Sequence, residues 1–465
     1  MSLNSNSLKE LWSVLPERVS TQKKDLVAHA GDLWPRRLIL RRLKKEIKQP
    51  LAVVTPISSK EVQILLKWAN EKGVSVIPFG GGSGVCGGVE VIGDSIALDL
   101  KKLNQILEIN DTSLYVKVGA GILGGELEKR LNERGLTLCH FPASFFISTV
   151  GGWISTRASG QMSTAYGSIE DILLSLKVVL PNGALLETKL VPRSATGPDL
   201  KELFLGGEGS FGVVTEATCG VRKIPPVREF LSFSFEHSSK GLLGIRTLLQ
   251  SGISPAVVRL YDELDTALQL SEIGLSASGN LLLLIFEGTQ AMVQFQKEEA
   301  LKLFSKEGKN LGEKPAKHWW AHRFDLNDQK LITLLSQEGV ILDTIEVAAT
   351  WDDLEGLYQG VKEAIGSTLT VMAHFSHFYL TGGSIYFTVV GNVDEEKALE
   401  TYDHLWQKAM EAVLVSKGTI SHHHGIGLLR KDWIQKELGS EGYALLSQIK
   451  KAVDPKNILN PGKLI

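Results

Sequence analysis

Three consecutive histidines, His422-His423-His424, stand in mid-chain ahead of Gly425-Ile426-Gly427. Imidazole titrates close to neutral pH and also ligates metals, so such a run points to proton transfer or to metal binding. His374 and His377 could join it. A set so poor in carboxylate suits few metals apart from zinc, and proton transfer is the favoured use, with no metal expected. Tyr386, inside the apolar run Ser384 to Val390, is on its own terms a core aromatic with a satisfied hydroxyl. Arg259 near Asp262 is on the same terms a surface ion pair, which contributes little.

Three glycine-rich loops suggest a second kind of chemistry. They are Pro78-Phe79-Gly80-Gly81-Gly82-Ser83-Gly84 running on to Gly88, Pro142 to Trp153 with Ser155 to Gly160, and Gly206 to Gly212. Residues without Cβ let backbone N–H groups come close to oxyanions. One such loop could be a set of tight turns; three within about 130 residues suit an extended phosphate-bearing ligand. Glycine is 46 of 465 residues, against a usual ~7%.

The elements that must hold these residues follow from periodicity. A strand over Leu51 to Thr55, a helix over Glu61 to Lys72 and a strand over Val74 to Pro78 make a β-α-β unit. Val62, Leu65, Leu66 and Ala69 form the helix's apolar stripe, with Ser58 or Ser59 as N-cap and Gly73 as stop. Beyond the first loop, Val89 to Leu100 is predicted as a hairpin turning at Gly93-Asp94. A dinucleotide fingerprint needs a helix there, so Asp99, 19 residues after Gly80, is not its ribose-binding acid. A P-loop is excluded because no Gly-Lys-Ser/Thr closes the loop. Further on come a strand (Leu114 to Ala120), a helix (Gly121 to Gly135), a hairpin around Pro181-Asn182-Gly183 and a strand (Val213 to Gly220). Ile224-Pro225-Pro226 marks a boundary. Residues 227–410 mix strands (Leu281 to Phe286, Ser384 to Val390) with helices (Trp351 to Ile365, Glu395 to Leu414), and Leu428 to Val453 is helical. The basic stretch Arg36 to Lys48 is predicted as a solvated helix face.

A chain of 465 residues exceeds the roughly 250–300 that one core supports, so two or more units are expected. Lys+Arg 50 against Asp+Glu 52 gives a net charge of −2, which argues against nucleic acid as the partner. Cys86, Cys139 and Cys219 make neither a disulfide framework nor a CxxC site, and fit a reducing, cytoplasmic compartment. No apolar run reaches the ~18 residues of a membrane span.

The order PFGGGSG, SFFISTVGGW with TRASG, then EGSFGVVTE resembles the flavoproteins of the vanillyl-alcohol oxidase / p-cresol methylhydroxylase superfamily. Within it, Arg259 in PAVVRLYD, Thr344-Ile345-Glu346 before Trp351, Ile385-Tyr386-Phe387 and SHHHG resemble the alkyldihydroxyacetonephosphate synthase branch, while the closing DPKNILNPGKLI resembles the end of the 2-hydroxyacid dehydrogenase branch. The resemblance implies an α+β protein: a two-subdomain PCMH-type FAD-binding domain (48–226), an α+β cap with an antiparallel sheet (227–410), a C-terminal segment returning to the FAD domain (411–465), and an N-terminal helical segment (1–47). It implies non-covalent FAD, with Pro78, Phe79, Gly80, Gly81, Gly82, Ser83 and Gly84 cradling the pyrophosphate. Ala143, Ser144, Ser148, Thr149, Gly151, Gly152, Thr156, Arg157, Ala158 and Ser159 would line flavin and ribityl. Glu208, Gly209, Gly212, Val213 and Val214 would meet the adenosine side. The reaction implied is exchange of acyl for alkyl on a dihydroxyacetone-phosphate ester through a flavin N5 adduct. Tyr386 would abstract the proton, His422, His423 and His424 would assist and shuttle, Arg259 would bind the anion, and His140 would lie near the flavin. A D-2-hydroxyacid dehydrogenase or oxidase of the same superfamily is the alternative. The synthases carry a further phosphate-binding arginine that counting from Glu346 places near Ile332, where this chain has none, and Arg323 is the nearest substitute. A small or lipid-like substrate, a homodimer and a peripheral membrane contact through Arg36 to Lys48 complete the expectation.

Overall fold

In the computed structural model, which describes residues 5–275, 278–325, 328–366 and 368–465, three sheets carry the fold. The helix Ser59–Lys72 buries the stripe Val62, Leu65, Leu66 and Ala69. Ser58 Oγ caps it by accepting from the Glu61 amide at 3.2 Å, and Gly73 ends it at φ +68. It packs on a four-stranded sheet ordered Val19–Ser20, Ala52–Val54, Ser95–Asp99, Ser75–Phe79. The β-α-β unit forms, but its two strands are not neighbours. Ser95–Asp99 lies between them, parallel to both. The hairpin expected over Val89 to Leu100 is therefore absent. All five residues of Ser95–Asp99 are buried, and a strand covered on both faces belongs in a sheet's middle.

The second half-domain is a five-stranded antiparallel sheet ordered Ile106–Asn110, Tyr115–Gly119, Val213–Gly220, Leu173–Val179, Leu185–Glu187. The hairpin expected at Asn182-Gly183 joins the last two. Helices Gly124–Asn132 and Val150–Thr156 pack over it. The C-terminal segment returns to both halves: Ile434 and Leu464 enter the second core, and Ile458 and Leu459 the first. Leu459 bridges Val76 in parallel, and Asn460 Nδ2 donates to the carbonyls of Gly88 (2.9 Å) and Glu208 (2.7 Å).

The third sheet has seven antiparallel strands, ordered Lys309–Gly312, Val227–Phe235, Asn280–Gly288, Val257–Tyr261, Thr370–Ser376, Gly382–Asn392, Val340–Thr350. Strand alternation gives it two unlike faces. Ile345, Val347, Ile385, Phe387, Ala373 and Phe375 turn to the core shared with helices Ser238–Gln250, Leu354–Ile365 and Ala398–Val415. Residues of the other parity, Glu346, Tyr386 and His374, line up in register across three neighbouring strands.

The basic stretch is solvated only in part: Arg41, Lys44, Lys45 and Lys48 are exposed, whereas Arg36, Arg37 and Arg42 are paired. Its helix Pro35–Arg42 docks on the cap, where Arg36 pairs with Asp403 (2.6 Å). Arg42 pairs with Glu395 (3.0 Å) and donates to the carbonyls of Leu335, Gln337 and Val340. Three of the cations are thus paired across the fold, and the rest face solvent.

The glycine loops meet one another closely. A Cβ on Gly81 would sit 1.8 Å from the Ile147 carbonyl oxygen, and one on Gly80 2.5 Å from Thr149 Oγ1. Gly209, at φ +73, would place a Cβ 2.9 Å from Pro78. Gly356 in helix Leu354–Ile365 has nothing within 4 Å. Equilibrium denaturation should therefore show Gly81→Ala destabilised by about 2 kcal/mol or more, and Gly356→Ala stabilised by about 0.5–1 kcal/mol.

Candidate active site

The polar row on the cap sheet begins with a fully buried carboxylate. Glu346 Oε1 accepts from Ser421 Oγ (2.8 Å) and from the amides of His423 (3.2 Å) and His424 (2.8 Å). Its Oε2 meets the equally buried Arg430 guanidinium. Arg430 Nη1 also donates to the Gly425 carbonyl (2.7 Å), Ser421 Oγ (3.2 Å) and Cys86 Sγ (3.3 Å). Burial alone would raise the Glu346 pKa, but Arg430, His424 and these hydrogen bonds outweigh it and hold it at about 2. At the other end of the histidine loop, Glu208 accepts from the amides of Ile426 (2.5 Å) and Gly427 (2.9 Å). One carboxylate from the cap and one from the third glycine loop thus grip the segment 421–427. The Glu208 side chain is engaged there, and its backbone is bonded too, the amide to the Ser155 carbonyl (3.0 Å) and the carbonyl to Asn460 (2.7 Å).

Five histidines gather around Tyr386. His374 stacks on its ring at 5.0 Å, and His424 (5.8 Å) and His423 (6.3 Å) flank it. His422 Nδ1 faces His423 Nδ1 at 2.8 Å, and its Nε2 faces the Tyr379 hydroxyl at 2.8 Å. His377, at φ +48, shares a hydrogen bond with Ser163 Oγ (2.6 Å) and packs on both His422 and His423. Burial first, then the neighbouring cationic and imidazole groups, lowers all five; His374 and His422 reach about 4. They are neutral at pH 7, ready to accept protons. Tyr386 moves the opposite way: burial, with Glu346 and Asp343 nearby, lifts its phenol to about 12, so it keeps its proton. Among the described residues no three His, Cys, Asp or Glu side chains are placed to share a metal ion.

Arg259 does not pair with Asp262, which instead binds Lys362 (2.9 Å) and Tyr358 (3.1 Å) in the cap. Arg259 Nη2 donates to His374 Nε2, so the other ring nitrogen carries the proton toward Asp265 (3.4 Å). Arg259 also donates to the Tyr261 hydroxyl (3.0 Å) and lies over Trp319. It has no carboxylate partner among the described residues. His140 is fully buried edge-on to Trp153, and both its nitrogens lack a partner; burial lowers it to about 3. Arg323 stacks on Trp320, which also takes Arg228 on its ring. Ile332 lies on helix Asp328–Leu335, so no arginine replaces the one expected there.

The residues expected to hold cofactor converge where Gly80 and Gly81 touch Ile147 to Thr149 and Gly209 touches Pro78. Ser148 Oγ accepts from Trp153 Nε1 (2.7 Å), and Thr149 Oγ1 accepts from the Gly152 amide (3.2 Å). Gly151 and Ala158 pack in the same half-domain; Ser159 Oγ meets Ser168 Oγ at 2.6 Å, Thr156 bonds back to Gly152, and Arg157 (φ +53) pairs outward with Glu202. The decisive feature is the first loop, where the consecutive amides of Gly80 to Cys86 meet no acceptor among the described residues. Backbone donors left without partners on a partly covered loop fit a polyanion such as the pyrophosphate of FAD.

Two α+β half-domains joined by glycine loops, under a cap whose polar face looks back at them, define a flavoprotein architecture. The family model of the FAD binding domain matches residues 50–189, and that of the C-terminal domain of FAD linked oxidases matches residues 224–464. The chain belongs to the FAD-linked oxidase family of enzymes, and FAD is its cofactor. It is 32% identical to an alkyldihydroxyacetonephosphate synthase of Trypanosoma brucei brucei over 90% of this chain and 73% of the other. It superposes on a solved alkyldihydroxyacetonephosphate synthase with a TM-score of 0.84 at 27% identity, covering 99% of this chain and 86% of that one. The fold is shared with p-cresol methylhydroxylase (TM-score 0.79, 20% identity, 98% and 96% covered), which makes the FAD domain PCMH-type.

From sequence, Glu346 enters only as part of Thr344-Ile345-Glu346, without a role, and Arg430 does not enter. A lone acid at an apolar strand's alternate position, and a lone arginine after two leucines, were the available signals. Replacing only one partner strands a buried charge, so Glu346→Gln should cost about 3–5 kcal/mol in denaturant melts. The histidines give a pH test. Their folded pKa values lie below 6.5, so the unfolded chain binds protons first as pH drops. The histidines' own contribution to stability should be level above pH 6.5 and be lost as pH falls from about 6.5 to 4. It is read as the difference in melting temperature between the parent and His374→Gln across that range. His374→Gln should flatten the slope.

Proposed function

We propose that this enzyme exchanges the acyl group of an acylated dihydroxyacetone phosphate for a fatty alcohol, the activity named for its relatives. The observation that supports it most directly is the ring of neutral imidazoles around a protonated Tyr386. Exchange without net redox change needs a proton taken from carbon next to a ketone and protons delivered to departing and returned from entering oxygens. FAD, when bound, supplies an electrophilic isoalloxazine ring.

The chain's own groups divide the work. A neutral histidine of the set His422 to His424 takes the proton, a task the Tyr386 phenol cannot begin while it holds its own. Tyr386 donates from its hydroxyl to the leaving oxygen and is reprotonated through His424 or His423 beside it. The chain from His423 through His422 to the Tyr379 hydroxyl leads to an open cavity of about 580 Å³ lined by Tyr379, Gly382, Gly383 and Lys436, which gives that proton an exit. Arg259, without a carboxylate partner, is the cation for the substrate phosphate. No helix among the described residues is long and apolar enough to cross a membrane, so a lipid-like substrate has to reach the site from a surface or from solution.

The test is to incubate the FAD-loaded protein with an acyl-dihydroxyacetone phosphate and a labelled fatty alcohol. Alkyl product should form with no electron acceptor present, and Tyr386→Phe and His423→Ala should each lower the rate by about 100-fold or more while keeping the flavin spectrum. Bleaching of the flavin by D-lactate or glycolate under anaerobic conditions, with no alkyl product, would overturn the reading in favour of hydroxyacid oxidation.

A further inference from the structure

The first glycine loop has an unusual mechanical problem. Its amides from Gly80 to Cys86 meet no acceptor among the described residues, so nothing inside the loop fixes its shape before a ligand arrives. One end is held by the second loop at Ile147 to Thr149. The other end is held from two sides. One is the C-terminal part of the chain, where the Leu428 and Leu429 amides donate to the Cys86 carbonyl (3.0 and 3.1 Å) and Asn460 donates to that of Gly88. The other is a segment far upstream, outside both family matches (50–189 and 224–464). The Leu33 amide donates to the Gly84 carbonyl at 2.8 Å. Asp32, 3% exposed, accepts from the Gly88 amide through Oδ2 at 3.0 Å and from the Trp34 amide through Oδ1 at 3.2 Å.

Shape reinforces these bonds. Gly84 could not carry a Cβ without meeting Asp32 Oδ2 at 2.9 Å, and Gly87, at φ +71, could not carry one without meeting the Trp34 ring at 2.7 Å. The segment itself is anchored. Trp34 Nε1 donates to the Tyr402 hydroxyl at 3.1 Å, which donates to Asp343 at 2.6 Å, on the strand that carries Glu346. Arg37 pairs with Glu90 at 3.2 Å and donates to the Asp32 carbonyl at 3.3 Å.

We infer that Gly31 to Arg37 is a latch that holds the first glycine loop in its FAD-binding conformation, with Asp32 as the positioning residue. The latch touches the loop's backbone from the side, so it acts through geometry and not through contact with the cofactor. Two amide bonds and a close packing surface are lost together when Asp32 goes, and one of the amides is left buried without an acceptor.

The test uses the full chain and FAD alone, independently of any substrate. Titrating apoprotein with FAD and following flavin fluorescence, Asp32→Ala should bind about tenfold or more weakly than the parent, and Asp32→Asn, which keeps one acceptor, should fall between. Hydrogen exchange on the unmodified protein supplies the second arm. FAD should slow exchange in residues 29–37 together with 80–88, a coupling that a latch requires and mere scaffolding does not. Parent-like FAD affinity in Asp32→Ala, or protection of 80–88 with 29–37 unchanged, would overturn the assignment. Should Asp32→Ala fail to fold, the exchange experiment decides alone.

Discussion

Everything chemical in this enzyme hangs on one buried ion pair, Glu346 with Arg430. Two charges removed from water at this depth are costly unless every donor and lone pair is used. Here nearly all are: Glu346 takes the guanidinium, two amides and a serine hydroxyl, and Arg430 adds a carbonyl, that serine and a cysteine sulfur. The partners come from the cap sheet, the histidine loop and the first glycine loop. A single pair therefore fixes three regions that are far apart in sequence and must agree in space for the site to exist. The histidines inherit their positions from it, because the amides of two of them are its hydrogen bonds.

That arrangement also sets the proton chemistry. The carboxylate that could have protonated the imidazoles is neutralised by Arg430, so burial and mutual repulsion win and the cluster stays uncharged. Tyr386, on the adjacent strand, meets the same burial with the opposite sign and keeps its proton. Acceptors and donor are thereby separated at neutral pH without any unusual residue, by the same lack of water acting on groups of different charge type.

Much of this was legible in the chain. The Val62 to Ala69 stripe, the Ser58 cap, the Asn182-Gly183 hairpin and the helices of the cap follow from period and caps, which are local signals. The glycine loops, Tyr386 and the histidines carried the family and the cofactor. What failed was non-local. Ser95–Asp99 was read as half of a hairpin because its partners, Ala52–Val54 and Ser75–Phe79, lie on the other side of a helix and a loop. Arg36 and Arg42 looked solvated because Asp403 and Glu395 are hundreds of residues away. Arg259 was placed beside Asp262, its sequence neighbour, whereas the strand points the two to different partners. Even the glycines had a second meaning: several are small because another loop lies on them, which their spacing does not reveal.

The closing segment around Leu459 and Asn460, which bridges Val76, Gly88 and Glu208, has a consequence for how the protein comes into being. On a growing chain the first glycine loop leaves the ribosome long before the segment that braces it, and the half-domains stay unfastened until residues 454–464 follow. The first glycine loop is thus braced only after the whole cap has been made. A chain that stopped anywhere in the cap would lack this fastening between the half-domains.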